Sequence, residues 1–126
     1  MVLKSMHNMS ACAALLIVTT ASPARSYVAD GMEYEISCNA DGYVLTSKYP
    51  VTRMSGTGVD TQAVPGIEKI YFGKSCDAYH ELFGQGKWCW ANGGFIAEFP
   101  RHRFGFGRQE LICGDAETYQ GNCGCQ

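Results

Sequence analysis

Cysteine is the residue that most constrains how this chain folds. The sequence contains seven cysteines, and Cys12 is the only one that precedes residue 38. The other six are Cys38, Cys76, Cys89, Cys113, Cys123 and Cys125. An even number of cysteines in a small exported chain is typical of a disulfide framework, because the compartments outside the cytosol are oxidising. Three disulfides would each stabilise the fold by about 2–4 kcal/mol, but the spacing leaves their pairing open.

The N-terminal segment has the three-part pattern of a secretory signal peptide. Lys4 is its only formally charged side chain, and an apolar run follows over 11–21. Small residues then precede two possible cleavage points, after Ala24 and after Ser26. This pattern predicts export, whereas a segment that spans a bilayer needs about 20 apolar residues. We therefore expect a periplasmic or secreted protein that has no stable membrane insertion once the signal peptide, 1–24, is removed.

The composition of the full chain predicts one small folded domain, which we place at 27–126. A total of 126 residues fits a single domain. With 46% hydrophobic residues and a formal net charge of −2, the chain lacks the low hydrophobicity and high net charge of disordered proteins. The same near-neutral charge removes the usual electrostatic argument for nucleic-acid binding, so we expect no nucleic-acid partner.

Alternating apolar and polar residues predict a mainly antiparallel sheet. The segment from Met32 to Cys38 alternates strictly, as a half-buried strand does. The turn residues 39–42 connect it to a second strand, and the two form a hairpin. Further strands are predicted over 43–51, 67–72 and 104–113. The polar, glycine-containing segment 52–66 predicts a surface loop.

The clearest local signal is a hairpin around Asn-Gly at 92–93. This dipeptide favours the type I′ turn that joins two antiparallel strands. The register that it sets places Trp90 opposite Phe95 and Lys87 opposite Glu98. Both tryptophans of the chain then share one face with the phenylalanine, and we interpret that face as buried core.

One short helix is predicted between Ser75 and Gly84. Ser75 is a favourable N-cap residue and glycine is a common helix stop. Four apolar residues share one side at helical spacing: Cys76, Tyr79, Leu82 and Phe83. His80 is then expected at the solvent-exposed margin of the helix. The predicted fold class is therefore α+β: a mainly antiparallel β-sheet with one short helix, stabilised by disulfides.

The sequence predicts neither a metal site nor a cofactor. His80 and Glu81 resemble the start of a zinc-protease motif, but the second histidine that this motif requires does not follow. The single residue between Cys123 and Cys125 is a shorter spacing than that of common zinc sites. We therefore assign these two cysteines to two separate structural disulfides.

A group of basic residues after Pro100 is the predicted binding site. Its members are Arg101, His102, Arg103 and Arg108, with Phe104 and Phe106 between them. Arginine is frequent where proteins bind anionic groups or partner proteins, although runs of charge are more often solvated surface. We expect a non-enzymatic binding module that docks a protein or a polyanionic component of the cell envelope.

Two other functions are consistent with the sequence. One is a small envelope hydrolase that uses His80 or His102 as its general base. The other is a structural stabiliser of an envelope complex. A binding module is favoured over an enzyme, because neither a nucleophile motif nor a close pair of carboxylates accompanies the histidines.

Overall fold

Eight of the ten strands in the described part of the chain form one continuous antiparallel sheet. The computed structural model describes residues 13–19, 25–113 and 123–125. Its strands are β1 (Ser26–Ala29), β2 (Met32–Asn39), β3 (Gly42–Ser47), β4 (Val51–Ser55), β5 (Gln62–Gly66), β6 (Lys69–Gly73), β7 (Asp77–His80), β8 (Gly84–Ala91), β9 (Gly94–Phe99) and β10 (His102–Phe106). The main sheet has the order β1-β2-β3-β6-β7-β8-β9-β10, and β4 and β5 form a second sheet.

The mainly antiparallel sheet is confirmed, but the predicted helix over 75–84 is wrong. Cys76 has a positive φ of 66° in the turn before β7. β7 itself pairs with β6 on one side and with β8 on the other, so its backbone is satisfied by neighbouring strands. Its alternation buries Ala78 and His80. A short apolar pattern does not separate a two-turn helix from a strand, and a helix of that length is marginal without packing.

The hairpin around 92–93 is confirmed in its turn and its register. Trp90 lies opposite Phe95, and Lys87 lies opposite Glu98. Both turn residues have positive φ, as a type I′ turn requires. Phe95 is buried and Trp90 is partly buried against the core, so the predicted core face is also confirmed.

The segment predicted as a surface loop, 52–66, is a second hairpin. β4 and β5 pair along their whole length, and a short 3₁₀ turn at Gly58–Asp60 lies at the tip. This unit is inserted between β3 and β6 and lies outside the main sheet. We call residues 51–66 the inserted hairpin. Its polar and glycine residues resemble those of a loop because a two-stranded unit buries little of its surface.

Two predicted strands have different limits in the structure. The expected strand over 43–51 is divided, since β3 ends at Ser47 and β4 begins at Val51. The expected strand over 104–113 is confirmed only at its start, because β10 ends at Phe106.

Side chains close the sheet where its first and last strands meet. The side-chain amide of Gln109 accepts from the backbone N–H of Val28 at 2.7 Å and donates to the carbonyl of the same residue at 2.8 Å. The Tyr27 hydroxyl donates to the carbonyl of Glu110 at 2.7 Å and accepts from the N–H of Ile112 at 3.1 Å. The Gln109 amide therefore occupies both backbone groups of Val28, which are then not available to an added strand.

The expected disulfide framework is confirmed, and it concentrates at one end of the sheet. The pairs are Cys38–Cys113, Cys76–Cys123 and Cys89–Cys125. The two tail cysteines therefore belong to separate disulfides, and Cys125 also donates its N–H to the carbonyl of Trp90 at 3.2 Å. Three disulfides indicate an oxidising compartment outside the cytosol.

Because consecutive strands run in opposite directions, the turns alternate between two ends of the sheet. We call the end with the turns 40–41, 74–76 and 92–93 the disulfide end. We call the opposite end, with the turns 30–31, 81–83 and 100–101, the open end. The inserted hairpin also starts from the open end.

The core between these ends is mainly aromatic. Its largest fully buried side chains are Tyr34, Tyr43, Phe72, Phe95, Phe104, Phe106, Leu45, Ile70 and Leu111. Phe72 is central, since its ring makes edge-to-face contacts with Trp88, Phe95 and Phe106 at centroid distances between 5.4 and 6.2 Å. Aromatic pairs of this kind add stability beyond the area that they bury.

Gly86 is a strand position where the packing leaves no room for a side chain. A Cβ atom there would lie 2.2 Å from the carbonyl oxygen of Glu98 and 2.6 Å from the ring of Phe99. We expect Gly86→Ala to lower the free energy of unfolding by about 1–3 kcal/mol, the usual cost of overpacking. Gly105→Ala is the matched control, because nothing lies within 4 Å of a Cβ atom there. Its effect should stay within about 0.5 kcal/mol, and equal urea midpoints for the two variants would contradict the close packing at Gly86.

Candidate functional site

A carboxylate, a guanidinium, an imidazole and a phenol meet at the open end of the sheet. Glu68 lies between β5 and β6, Tyr34 on β2, Arg53 on β4 and His80 at the end of β7. We call these four residues the Glu68 cluster. The side chains of Glu68 and His80 are each only 3% exposed. Charged groups are rarely buried so deeply unless partners surround them.

Both carboxylate oxygens of Glu68 are fully engaged. Oε1 accepts from Arg53 Nε at 2.8 Å and from His80 Nε2 at 2.7 Å. Oε2 accepts from Arg53 Nη2 at 3.0 Å and from the Tyr34 hydroxyl at 2.7 Å. The backbone N–H of Glu68 donates to the Ser47 hydroxyl at 2.9 Å. The bidentate arginine pair with two further donors offsets the cost of burying the charge.

Both ring nitrogens of His80 are also occupied. Nδ1 accepts from the backbone N–H groups of Leu82 at 3.1 Å and Phe83 at 3.3 Å. Nδ1 therefore carries no proton, and the ring proton lies on Nε2, which donates to Glu68. The expectation of a solvent-exposed histidine at this position is wrong, because strand alternation turns the ring inward.

Hydrogen bonding determines the charge state of the cluster. Burial by itself would raise the pKa of Glu68, but hydrogen bonds from His80, Arg53 and Tyr34 and the charge of Arg53 outweigh it and lower that pKa to about 2. Burial, followed by the hydrogen bond to Glu68, raises the pKa of Tyr34 far above its ordinary value. At neutral pH the cluster therefore contains an ionised Glu68, a charged Arg53 and a protonated Tyr34.

A cleft of about 630 Å³ opens beside the Glu68 cluster. One wall is the inserted hairpin, and the other is the outer face of β6 and β7. Apolar and aromatic side chains line most of it: Val51, Val64, Ile67, Tyr71, Tyr79 and Leu82. Arg53, Glu68 and His80 contribute the polar part of the lining, together with Lys69 and Glu81. Apolar walls with a few fixed polar groups are typical of binding sites.

Exposed apolar side chains are concentrated around this cleft. Of the ten large hydrophobic side chains exposed between residues 25 and 113, eight lie between Tyr49 and Leu82. Five of these eight line the cleft, namely Val64, Ile67, Tyr71, Tyr79 and Leu82, and we call these five the apolar face. The other three, Tyr49, Met54 and Val59, lie outside the cleft lining. Val59, at the tip of the inserted hairpin, is fully exposed. Clustered exposed apolar residues mark interaction sites, whereas scattered ones do not.

The structure separates the basic residues that the sequence predicts as one binding site. Arg101 and Arg103 are exposed at the open end, and Arg103 Nε lies 3.6 Å from Glu98 Oε1. Arg108 follows β10 at the disulfide end. A strand of that length spans roughly 15 Å, so Arg108 does not share a patch with the other two arginines.

The fourth predicted site residue, His102, points into the open end of the sheet. Its ring stacks on Phe83 at a centroid distance of 4.8 Å and meets Phe104 edge-on at 4.4 Å. Its Nε2 atom is buried and has no hydrogen-bond partner within the described part of the chain. The nearest acidic atom is Asp30 Oδ2 at 3.6 Å. Burial, followed by the positive charge of Arg53, lowers the pKa of His102.

Sequence reasoning missed the Glu68 cluster, although one signal pointed to it. In the predicted strand over 67–72, Glu68 alternates with Ile70 and Phe72, so a carboxylate occupies the inward face. An acidic residue on a buried face demands a buried cation or donor. Its partners come from three other strands, and nothing local in the sequence identifies them.

Comparison with known proteins assigns no family. No family model, curated protein or solved structure gives a significant match to this chain. Among the described residues, no group of three or more histidine, cysteine, aspartate or glutamate side chains is arranged to hold a metal ion. The described residues also contain no helix with the length and apolar character needed to cross a membrane. Function is therefore inferred from the geometry of the open end.

Replacing Glu68 by glutamine tests the energetic role of the cluster. Glu68→Gln removes the negative charge and leaves the mostly buried Arg53 without its counter-ion. We expect a loss of about 3 kcal/mol in the free energy of unfolding at pH 7, as for other broken buried pairs. Glu98→Gln is the matched control, because Glu98 is 61% exposed in its pair with Arg103. That change should cost less than about 0.5 kcal/mol in the same urea titration.

The decrease in the free energy of unfolding at acidic pH should also depend on Glu68. Folding lowers its pKa from 4.5 to about 2. Its ionised form therefore stabilises the fold above pH 4.5, and this contribution is lost as the pH falls towards 2. The Glu68→Gln variant should lose less stability than the parent protein over this range. Urea unfolding at several pH values measures the difference, and parallel curves for the two proteins would contradict the assignment.

Proposed function

We propose that this protein is a non-enzymatic binding module that acts outside the cytosol and docks a partner protein through the apolar face. The observation that carries the proposal is that five of the ten large hydrophobic side chains exposed between residues 25 and 113 line one cleft. Two further exposed apolar residues, Met54 and Val59, lie on the inserted hairpin outside the cleft. Such an extent suits a protein partner better than a small molecule.

The charges of the cleft support a partner that is not strongly anionic. Arg53 and Glu68 neutralise each other at 2.8 Å. The remaining charged residues in the lining are Lys69 and Glu81, one of each sign. A polyanion would gain no net attraction here. Arg101 and Arg103 lie at the same end of the sheet, and we assign them to the polar rim that surrounds the apolar centre of many interfaces.

The sheet edges support docking through side chains. The side-chain amide of Gln109 forms hydrogen bonds with both the N–H and the carbonyl of Val28 in β1. The inserted hairpin has Pro65 in β5, and proline cannot donate a hydrogen bond to an added strand. These contacts disfavour strand addition at β1 and β5, so we propose that the partner contacts the apolar face through side chains.

The positions of the histidines weigh against a hydrolase. A general base needs a ring nitrogen within reach of the substrate. Both nitrogens of His80 are already hydrogen-bonded, and Nε2 of His102 is buried. These contacts support a structural role for His80, and burial keeps Nε2 of His102 away from a substrate. A stabiliser of an envelope complex would be one form of the same docking function.

Export of the protein is part of the proposal. The apolar residues of the N-terminal segment do not pack on the sheet, since Leu15, Leu16, Ile17 and Val18 are 80–90% exposed. An apolar segment outside the core is consistent with a signal peptide that is removed. Because β1 begins at Ser26, cleavage after Ala24 would leave the whole strand in place. The disulfides are consistent with either a periplasmic or a secreted protein.

Introducing a negative charge at Leu82, on the wall of the cleft, tests whether the apolar face binds the partner. A photo-crosslinking residue at Tyr79 would first capture the partner from an envelope or culture fraction of the native host. The identified partner is then purified and titrated against Leu82→Asp, which should bind at least about tenfold more weakly because the apolar contact is lost. Val28→Asp is the matched control, since Val28 is also exposed but lies on β1, away from the cleft.

The double variant Arg101→Ala/Arg103→Ala separates the apolar face from its rim. We expect it to change the affinity by less than about tenfold, because solvent-exposed charges at a rim contribute little to binding. If the double variant loses the partner and Leu82→Asp retains it, the arginines form the site and the apolar face does not.

A further inference from the structure

Three aromatic rings form a stack that runs from the surface to the Glu68 cluster. His102 stacks on Phe83 at a centroid distance of 4.8 Å and an interplanar angle of 15°. Phe83 stacks in turn on His80 at 4.4 Å and 26°. His80 donates to Glu68. The stack therefore connects the start of β10 with the turn after β7 and with the buried carboxylate.

Two aromatic rings beside His102, those of Phe83 and Phe104, also contact Arg53, the residue that holds the inserted hairpin at the open end. Its guanidinium carbon lies 5.1 Å from the centroid of Phe104 and 6.0 Å from that of Phe83. Phe104 and Phe83 are also the two rings that contact His102. A permanent cation and a titratable ring thus share the same aromatic contacts.

The surroundings of His102 favour its neutral form. The groups that face it are Asp30 from the turn after β1, Arg53 from β4, Glu68 before β6 and His80 from β7. Arg101 and Arg103 flank it in the sequence. Glu68 is already paired with Arg53, and Asp30 is 56% exposed at 3.6 Å, so water screens it. A proton on Nε2 would lie in a buried position without a close acceptor.

We propose that protonation of His102 releases the inserted hairpin from the open end, so that mildly acidic conditions loosen one wall of the cleft. A second positive charge on Phe83 and Phe104 would repel Arg53, and the protonated ring would gain water by leaving the stack. Only the consequence for partner binding rests on the proposed function. The release itself is a property of the free protein.

The direction of the pH effect follows from the burial of the ring. Burial and Arg53 hold the pKa of His102 below 6.5 in the closed arrangement, whereas an exposed ring in the open one has its ordinary pKa. The open arrangement therefore takes up the proton first as the pH falls, and the equilibrium for opening rises by at most about tenfold per pH unit. Glu68, with a pKa of about 2, stays ionised between pH 7 and 5.

Hydrogen exchange measured by NMR on the free protein tests the release. Protection factors, which are corrected for the intrinsic pH dependence of exchange, are compared at pH 7 and pH 5. Amides of the inserted hairpin, such as those of Arg53 and Val64, should lose protection several-fold. The amide of Trp90, which is bonded to the tail at the disulfide end, should keep its protection.

Two variants connect the effect to His102. His102→Phe retains a stacking ring that takes up no proton, so the loss of protection between pH 7 and 5 should disappear. Asp30→Asn removes the acid nearest to Nε2, which lowers the pKa of the closed form further and should enlarge the loss at pH 5. If the phenylalanine variant does not fold, the asparagine variant still distinguishes the outcomes, because Asp30 is mostly exposed.

Two results would overturn the proposal. One is an NMR titration in which His102 takes up a proton as the pH falls while the hydrogen-exchange protection of the inserted hairpin stays constant. That result would mean that the ring leaves the stack without releasing Arg53. The other is the same pH dependence in His102→Phe as in the parent protein. The hydrogen-exchange experiment uses the free protein, so a negative result there does not contradict the docking proposal. In the same way, a negative result in the partner-binding experiment does not affect the hydrogen-exchange test.

Discussion

The carboxylate of Glu68 joins the main sheet to the inserted hairpin. A bare carboxylate in an apolar interior would be strongly unfavourable, so its position requires the donors that surround it. Those donors come from β2, β4 and β7, and Arg53 supplies two of the four bonds. The geometry of the open end depends on this buried charge, because Arg53 holds the inserted hairpin against the aromatic rings and thereby sets one wall of the cleft.

The two ends of the sheet are stabilised by different chemistry. Covalent bonds hold the disulfide end, where three disulfides connect β2, β8 and the turn after β6 to the C-terminal part of the chain. Ion pairing, hydrogen bonds and aromatic stacking hold the open end. Disulfides do not respond to mild changes of pH, whereas a histidine beside a buried ion pair does. The proposed docking face and the proposed pH response therefore both lie at the end without disulfides.

Local sequence patterns identified part of this arrangement. The hairpin around 92–93 followed from its turn residues, because a type I′ turn and its register involve only a few neighbouring positions. The number of disulfides followed from the number of cysteines. The helix expected over 75–84 was wrong, since short apolar spacing fits two structures and only the pairing with β6 and β8 decides between them. The predicted basic site was divided because β10 places Arg103 and Arg108 at opposite ends.

By itself, the sequence determined an antiparallel sheet with one well-defined hairpin and six cysteines suited to three disulfides. These features depend on periodicity, turn chemistry and composition, all of which act over short distances. The tertiary structure decided which cysteines pair, that residues 51–66 form a hairpin, and that Glu68, Arg53, His80 and Tyr34 meet. The disulfides join residues 36 to 75 positions apart, and the bonds to Glu68 join residues 12 to 34 positions apart. Only the order of the strands brings such residues within bonding distance, and a hairpin as polar as 51–66 carries too little apolar alternation to be separated from a loop.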